Sequence, residues 1–355
     1  MTIYLATVVA TILLQLLRAT VGTTDGGPRR TSAVQWGIDC VCILVLAAPG
    51  FRAWHVGTDT IMYVSMYDTT IDTASWSNTT EQSIVEPGFA LWQFIWSLLG
   101  LSTRWFLVVT ALVTNGLQYG AIRMIAPRML PAISAYSLSG FYLFQFNGMR
   151  QALAISIFVF GMALILRGRR RGWVLLVLAA LVHQSTLIAL PAFILAHRYR
   201  RRTTFNTRIV LLCGGVVLGL LLVSAALAAF LTDLVGDKYG AYLGQDMGSG
   251  RGRLVHLALM LMVVWFLQST RLPDELHCAS RFYSLGLGAQ VVGLQLAVLD
   301  RVTLYFAACL PMLIAPLLAH GSRARHAVLW LGIVTYFFIS LTRYGDLLPY
   351  EWSPS

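Results

Sequence analysis

Two carboxylates lie in a long hydrophilic stretch in the first quarter of the chain. Asp59 belongs to the sequence GTDTIMY (57–63), and Glu86 begins the sequence EPGF (86–89), which is typical of a turn leading into a short apolar segment. Carboxylates held at a cavity can bind sugar hydroxyls or remove a proton from one. Solvated loop residues would show the same spacing, so both interpretations stay open.

Two arginines interrupt apolar sequence. Arg150, flanked by Asn147 and Gln151, directly precedes the apolar run 152–166, and Arg301 lies between two further apolar runs. Such an arginine either extends its charge to an aqueous surface or pairs with an anion. Because the planar guanidinium can bind a phosphate through two hydrogen bonds, two arginines on one face would match a diphosphate. We favour anion recognition for Arg150, with its two amide neighbours as neutral donors.

A histidine interrupts another apolar segment. His183 begins the polar sequence HQST (183–186) within residues 173–197. Four consecutive polar residues at this position indicate the lining of a cavity, where a histidine can exchange protons near neutral pH. A packed histidine with satisfied hydrogen bonds is the alternative.

The composition identifies the class of protein. Of 355 residues, 57% are hydrophobic and 12% are charged, whereas soluble domains carry roughly 25% charged residues. The chain is therefore a polytopic membrane protein, which excludes a cytosolic enzyme, a disulfide-built secreted domain and a disordered tail. The net charge of +11 comes mostly from arginines in short gaps between apolar runs, as the positive-inside rule expects. We therefore predict no nucleic-acid partner.

The apolar runs predict an all-α fold with about ten membrane crossings, since a spanning helix needs ~20 apolar residues. Two further apolar segments, 88–101 and 173–197, are predicted to be re-entrant. The predicted crossings are 2–19, 34–50, 105–126, 131–147, 149–167, 208–231, 254–270, 281–299, 302–320 and 326–343.

The basic loop at 167–171 sets the predicted orientation, because arginine-rich short loops stay cytoplasmic. The whole chain, 1–355, then forms one transmembrane domain with two extracytoplasmic loops, 51–88 and 232–252. If the segment 173–197 does cross the membrane, the orientation of everything after it is reversed.

Aromatic residues collect near the predicted outer surface. Tyr239 follows Lys238 in the second loop, and Tyr350 lies in the C-terminal tail. Aromatic belts at the membrane interface are one explanation, and platforms on which sugar rings stack are the other. The sequence contains no nucleotide-binding, dinucleotide or metal-binding motif, so we predict neither a cofactor nor a metal.

In their order and spacing, these motifs resemble those of the EpsG/Wzy-type polysaccharide polymerases of bacterial envelope and exopolysaccharide pathways. The resemblance adds Tyr63 and Tyr305 to the candidate substrate-binding residues. The similar motifs are G-x-D-x3-Y (57–63), E-x-G-F (86–89), N-x2-R-Q-x2-A (147–154), A-x2-H-x-S (180–185), K-Y-x2-Y (238–242), R-x3-Y (301–305) and P-Y (349–350).

The resemblance implies a GT-C-like, multi-pass glycosyltransferase of the bacterial inner membrane whose active site is extracytoplasmic. Such an enzyme joins oligosaccharide repeat units carried on undecaprenyl diphosphate. By analogy, a flippase and a chain-length regulator would be its partners. We then expect Arg150 and Arg301 to bind the diphosphate, and Asp59, Glu86 or His183 to activate the acceptor hydroxyl.

Two other functions stay open at this point. An O-antigen ligase would use the same lipid-linked donor with a different acceptor. A transporter or flippase of lipid-linked sugars would also carry an intramembrane arginine, although many transporters show internal repeats and none is visible in the sequence.

Overall fold

The computed structural model describes residues 1–21, 32–73, 76, 85–199, 250–294, 297–343 and 345–352. These residues form helices, turns and one isolated β-bridge between Arg52 and Trp352. In chain order, the helices are Thr2–Val21 (α1), Ala33–Ala47 (α2), Thr60–Thr73 (α3), Pro87–Leu98 (α4), Thr103–Ile125 (α5), Met129–Ser137 (α6), Gly140–Phe144 (α7), Met149–Leu166 (α8), Arg171–Val182 (α9), Thr186–Arg198 (α10), Gly250–Gln268 (α11), Asp274–Gly293 (α12), Ala297–Ala307 (α13), Leu310–Ala319 (α14) and Arg323–Arg343 (α15).

Among the described residues, five helices are long and apolar enough to cross a membrane. They are Thr2–Val21, Ala33–Phe51, Thr103–Ile125, Met149–Leu166 and Arg323–Arg343. The pair Asp300–Ala307 and Leu310–Ala319 gives a sixth candidate if its 52° bend lies within one span. The predicted all-helical membrane class agrees with this structure, whereas the count of ten crossings and the GT-C-like fold stay predictions.

The structure divides two predicted crossings. The crossing predicted at 302–320 is split between α13, which ends at Ala307, and α14, which begins at Leu310. In place of a continuous helix over 131–147, α6 ends at Ser137 and α7 begins at Gly140. The Ser139 hydroxyl accepts a hydrogen bond from the backbone N–H of Tyr142 (3.0 Å), which caps the new helix. Apolar composition alone does not reveal such a break, because the capping serine lies inside the apolar run. The predicted crossing 208–231 and most of the loop 232–252 lie outside the described residues.

Both segments predicted to be re-entrant contain short helices. Residues 88–101 contribute α4, whose 12 residues extend about 18 Å and are too short to cross a bilayer. Residues 173–197 form α9 and α10, separated at 183–185. The loop predicted at 51–88 contains helix α3, which packs against α4 and α5.

Helix α8 lies at the centre of the bundle and fixes the direction of its neighbours. It packs mainly against α5 and α9, and it carries the fully buried Phe158. At the end of α8, the Arg167 Nε donates a hydrogen bond to the carbonyl oxygen of Met124, in the last turn of α5 (2.8 Å). The start of α8, with Arg150, therefore lies at the opposite end of the bundle, about 27 Å away for 18 residues.

A buried carboxylate joins three helices at the Met124 end of the bundle. Asp39 of α2 is 2% exposed and lies 2.7 Å from Arg18 Nε of α1 and 3.0 Å from Arg123 Nη1 of α5. Tyr119 donates its hydroxyl hydrogen to the same carboxylate. These contacts satisfy a charge that could not otherwise be buried among apolar helices.

Candidate functional site

An ion pair at the start of α8 joins two of the residues singled out from the sequence. Arg150 Nη1 lies 2.9 Å from Glu86 Oε2, and the two side chains are 21% and 15% exposed. The other carboxylate oxygen of Glu86 accepts a hydrogen bond from the backbone N–H of Gln184 (3.1 Å) and lies 3.5 Å from His183 Nδ1. The predicted anion-binding arginine therefore has a carboxylate partner within the chain.

This pair gives a prediction for stability. Replacing Arg150 by alanine leaves a half-buried carboxylate without its cation, so we expect ~1–3 kcal/mol of destabilisation. The double variant Arg150→Ala with Glu86→Gln should recover part of that loss, because no charge is then left unpaired. The test compares the thermal unfolding midpoints of the two single variants and the double variant, purified in detergent. If the losses of Arg150→Ala and Glu86→Gln simply add in the double variant, the prediction is wrong.

Gly88 allows Glu86 to reach His183 and Gln184. A Cβ atom on Gly88 would lie 2.6 Å from the carbonyl carbon of Leu181, in the last turn of α9. Because only glycine permits this approach, the first turn of α4 lies directly against α9, and Glu86 at the N-cap of α4 reaches the backbone that follows α9.

Replacing Gly88 by alanine should therefore separate α4 from α9. We expect ~1–3 kcal/mol of destabilisation from overpacking. The thermal unfolding midpoint of the purified variant measures this effect. The variant Gly100→Ala is not a suitable control because Gly100 has a φ of +71°; Gly37→Ala is suitable, since no atom lies within 4 Å of its added Cβ.

A hydrogen-bond network continues from His183 to the helix that carries Arg301. The Ser185 hydroxyl lies 3.1 Å from His183 Nδ1 and 3.1 Å from the Tyr305 hydroxyl, which is also 2.8 Å from Thr186 Oγ1. Tyr305 is fully buried. In this structure it therefore holds α13 against α10 and presents no surface to a ligand.

Gln151 connects the same network to Arg301. Its side-chain amide donates to the Ser185 hydroxyl (3.3 Å) and to the backbone carbonyl oxygen of Arg301 (3.1 Å). Gln151 is 4% exposed, so it positions the backbone of Arg301 and the polar residues after α9. Within the described part of the chain, no carboxylate lies within ion-pair distance of the Arg301 guanidinium.

Asn147 holds the loop that carries Asp59. Its Oδ1 accepts hydrogen bonds from the backbone N–H of Asp59 (2.8 Å) and from the Thr58 hydroxyl (3.0 Å). The Asp59 carboxylate is half-buried, and no cation of the described residues lies within ion-pair distance of it. Among the described residues, its side-chain partner is the Thr58 hydroxyl at 3.3 Å, whose single hydrogen is shared with Asn147 Oδ1.

Tyr63 lies between the charged residues of the site. The side chain is 3% exposed, and this burial raises the pKa of its phenol to about 12, with Arg150 lowering the pKa and Asp59 raising it. Arg301 also lowers the pKa of this phenol. Hydrogen bonds place Asp59 beside Asn147 and Arg301 beside Gln151, so Asp59, Arg150 and Arg301 lie near the start of α8 although they are separated by up to 242 positions in the sequence.

A cavity of about 340 Å³ opens beside this cluster, within the size range of small-ligand sites. Three arginines and two aspartates line it, which leaves a net charge of +1 before His256 is considered. The lining residues are Thr58, Gly140, Leu143, Phe144, Asn147, Arg253, His256, Asp300, Arg301, Leu304, Tyr336, Ser340, Arg343, Gly345, Asp346 and Leu347. In the described ranges, no group of three or more His, Cys, Asp or Glu residues could hold a metal ion.

The cavity wall also contains charged residues that were not predicted from the sequence to belong to the site. Arg253 Nε lies 3.7 Å from Asp300 Oδ2, and the His256 ring stacks on Tyr336 with centroids 4.6 Å apart. Arg343 contributes at the end of α15. A signal for Arg253 existed in the sequence, since it precedes an apolar run just as Arg150 does.

The C-terminal segment completes the cavity. The carbonyl oxygens of Gly345 and Asp346 accept hydrogen bonds from the backbone N–H groups of Thr58 and Gly57, both at 3.0 Å. Gly345 has a φ of +69°, and an added Cβ would lie 2.7 Å from Asn147 Nδ2. Only glycine fits at this position, so the tail and the Asp59 loop form one wall.

Among the described residues predicted to bind substrate, Asn147 and Arg301 line the cavity, whereas Arg150, Gln151, Tyr63, Tyr305 and Tyr350 do not. The acid–base candidates Asp59, Glu86 and His183 do not line it either. Tyr350 packs edge-on against Tyr4, with ring centroids 5.6 Å apart, and does not line the cavity. Lys238 and Tyr239 lie outside the described residues. The structure brings together the remaining candidates around Glu86, Arg150 and Arg301.

Comparison with known proteins gives one match. The model of the EpsG family matches residues 38–352, which is most of the chain and includes every candidate residue named above. This match confirms the family resemblance predicted from the motifs. No curated protein and no solved structure matches the chain.

Proposed function

This chain belongs to the EpsG family, and from that premise we propose that it joins oligosaccharide repeat units carried on undecaprenyl diphosphate. The family and the apolar helices make it a multi-pass membrane protein of the polysaccharide-polymerase type. In the proposed reaction, a membrane glycosyltransferase works at the extracytoplasmic face of the bacterial inner membrane. It transfers the growing chain from its lipid carrier to the next lipid-linked unit.

The observation that carries this proposal is the arginine-lined cavity, whose wall includes Arg301 and Thr58, the chain neighbour of Asp59. Arg301 lines the cavity, and its backbone is held by Gln151 of the same helix that carries Arg150. A diphosphate needs cations that are not already neutralised. Arg301 meets that requirement among the described residues, whereas Arg150 is paired with Glu86.

The proposed reaction assigns a separate role to each group. Asp59 takes the proton of the acceptor hydroxyl, and the hydroxyl oxygen forms a bond to the anomeric carbon of the donor sugar. The bond between that carbon and the diphosphate oxygen breaks, and the diphosphate leaves with the electron pair. Arg301 stabilises the negative charge that develops on the leaving group.

Asp59 is the preferred base for a geometric reason. Its carboxylate is half-exposed and has no cation partner in the described ranges, and its neighbours Thr58 and Asn147 line the cavity. Glu86 is held by Arg150 and by the backbone of Gln184. We therefore assign the group of Glu86, Arg150 and His183 to orienting the acceptor sugar and Arg301.

Glycan size tests the proposed function. The gene is deleted in its host and complemented with wild type or with Arg301→Ala, and the extracted glycan is separated on a gel. Loss of the ladder with single repeat units still in the lipid-linked pool supports polymerisation. Full-length chains retained on the lipid carrier would indicate a ligase instead. Repeat units trapped on the cytoplasmic leaflet would indicate transport.

A further inference from the structure

A second cavity, of about 350 Å³, lies at the end of the bundle where α1 and α5 end. We call it the Arg18 pocket. It lies between α1, α6 and α14, and its lining combines polar and apolar residues: Gln15, Arg18, Ala19, Arg128, Met129, Leu130, Pro131, Ala315 and Leu318. The candidate functional site lies at the other end of α8, so the two cavities are separate.

The Arg18 pocket carries an excess of positive charge. Asp39 lies within ion-pair distance of both Arg18 and Arg123, so one carboxylate is shared by two guanidinium groups. Arg128 is exposed at the rim, and no carboxylate of the described residues lies within ion-pair distance of it. Among the described residues, Arg128 therefore leaves positive charge unbalanced next to a cavity whose wall is largely apolar.

A buried hydrogen-bond acceptor also belongs to a residue in the wall of this pocket. The Tyr119 hydroxyl donates its hydrogen to Asp39, so it can only accept from Gln15 Nε2, at 2.9 Å. This fixes the orientation of the Gln15 amide. Its Oε1 is buried without a hydrogen-bond partner among the described residues, and Gln15 itself is 1% exposed. A buried acceptor without a donor is costly and indicates a ligand that supplies one.

We propose that the Arg18 pocket binds an anionic phospholipid whose headgroup carries a hydroxyl, as phosphatidylglycerol does. The phosphodiester lies between Arg18 and Arg128, a glycerol hydroxyl donates to Gln15 Oε1, and the acyl chains run along Leu130 and Leu318. Basic pockets between membrane helices are suited to such headgroups. The arginine distribution predicts that this end of the bundle faces the cytoplasmic leaflet, where anionic lipids attract basic residues.

The chemistry separates this lipid from the others of a bacterial membrane. Phosphatidylethanolamine carries an ammonium group, which the two arginines would repel. Phosphatidic acid offers the negative charge, but its phosphate would have to serve both the arginines and Gln15, because it has no separate glycerol hydroxyl in the headgroup. The pocket therefore predicts the order phosphatidylglycerol, phosphatidic acid, phosphatidylethanolamine from the tightest to the weakest binding.

Native mass spectrometry of the detergent-purified full chain tests this order with dioleoyl forms of the three lipids. Wild type should retain one phosphatidylglycerol and show a higher unfolding midpoint with it than with phosphatidylethanolamine. Arg128→Gln should retain it about fivefold less, as expected for losing one cation near the lipid phosphate. Ala19→Trp should also retain less phosphatidylglycerol, because the larger side chain fills the pocket while every charge is kept.

Arg169→Gln is the matched control, because Arg169 is an exposed arginine at the same end of the bundle and does not line the pocket. Equal retention of phosphatidylglycerol and phosphatidylethanolamine by wild type would overturn the proposal. So would unchanged retention in Ala19→Trp, since binding would then follow surface charge alone. Phosphatidic acid retained as tightly as phosphatidylglycerol would overturn the role of Gln15.

Discussion

Asp59→Asn should lower the rate of chain extension by ~10²–10⁴, the range contributed by a general base. Asparagine has nearly the same shape as aspartate but cannot take a proton at neutral pH. The backbone N–H of residue 59 still donates to Asn147, so the loop should keep its position and the protein its expression level. A purified, reconstituted enzyme with lipid-linked repeat units would give this rate directly.

The unfolding midpoint separates loss of the base from loss of the fold. Asp59→Asn should keep the unfolding midpoint of wild type while its rate of chain extension falls. Asp72→Asn is the matched control, because Asp72 is an exposed carboxylate on α3 and does not line the cavity. If Asp59→Asn keeps more than about a tenth of the wild-type rate, the loss is smaller than a general base is expected to cause. The base would then be Glu86 or His183.

The apolar runs predicted several helices closely. The crossings at 2–19, 149–167 and 326–343 correspond to Thr2–Val21, Met149–Leu166 and Arg323–Arg343, because an uninterrupted run of about 20 apolar residues has few alternatives to a helix. The break at 138–139 was not predicted. It depends on the cap that Ser139 provides for Tyr142, and a serine inside an apolar run has no single structural meaning.

The site illustrates what a sequence alone leaves open. Asp59, Glu86 and His183 were three candidates for one role, with Asp59 slightly favoured. The structure adds contacts between residues distant in the sequence: Glu86 contacts Gln184 across 98 positions, and Gln151 contacts Arg301 across 150. The contact between Glu86 and Gln184 requires the close approach of Gly88 to α9. That approach depends on the packing of α4 against α9, which cannot be predicted from a local sequence pattern.

Arg301→Ala should lower the rate of chain extension by ~10²–10³, because it removes the guanidinium that we propose stabilises the departing diphosphate. Gln151 binds the backbone of residue 301 rather than its side chain, so α13 should keep its position in the variant. Arg301→Lys should recover only part of the rate, since an ammonium group lacks the planar fork that binds two phosphate oxygens.

The contrast between Arg301 and Arg150 makes this prediction specific. Loss of Arg150 leaves Glu86 unpaired and lowers stability as well as activity, whereas Arg301 has no ion pair to lose within the described residues. Arg301→Ala should therefore have the same unfolding midpoint as the control Arg323→Ala. The control removes an exposed arginine at the start of α15, which does not line the cavity. A near-normal extension rate in Arg301→Ala would mean that the diphosphate binds elsewhere, and the cavity would then lose its proposed role.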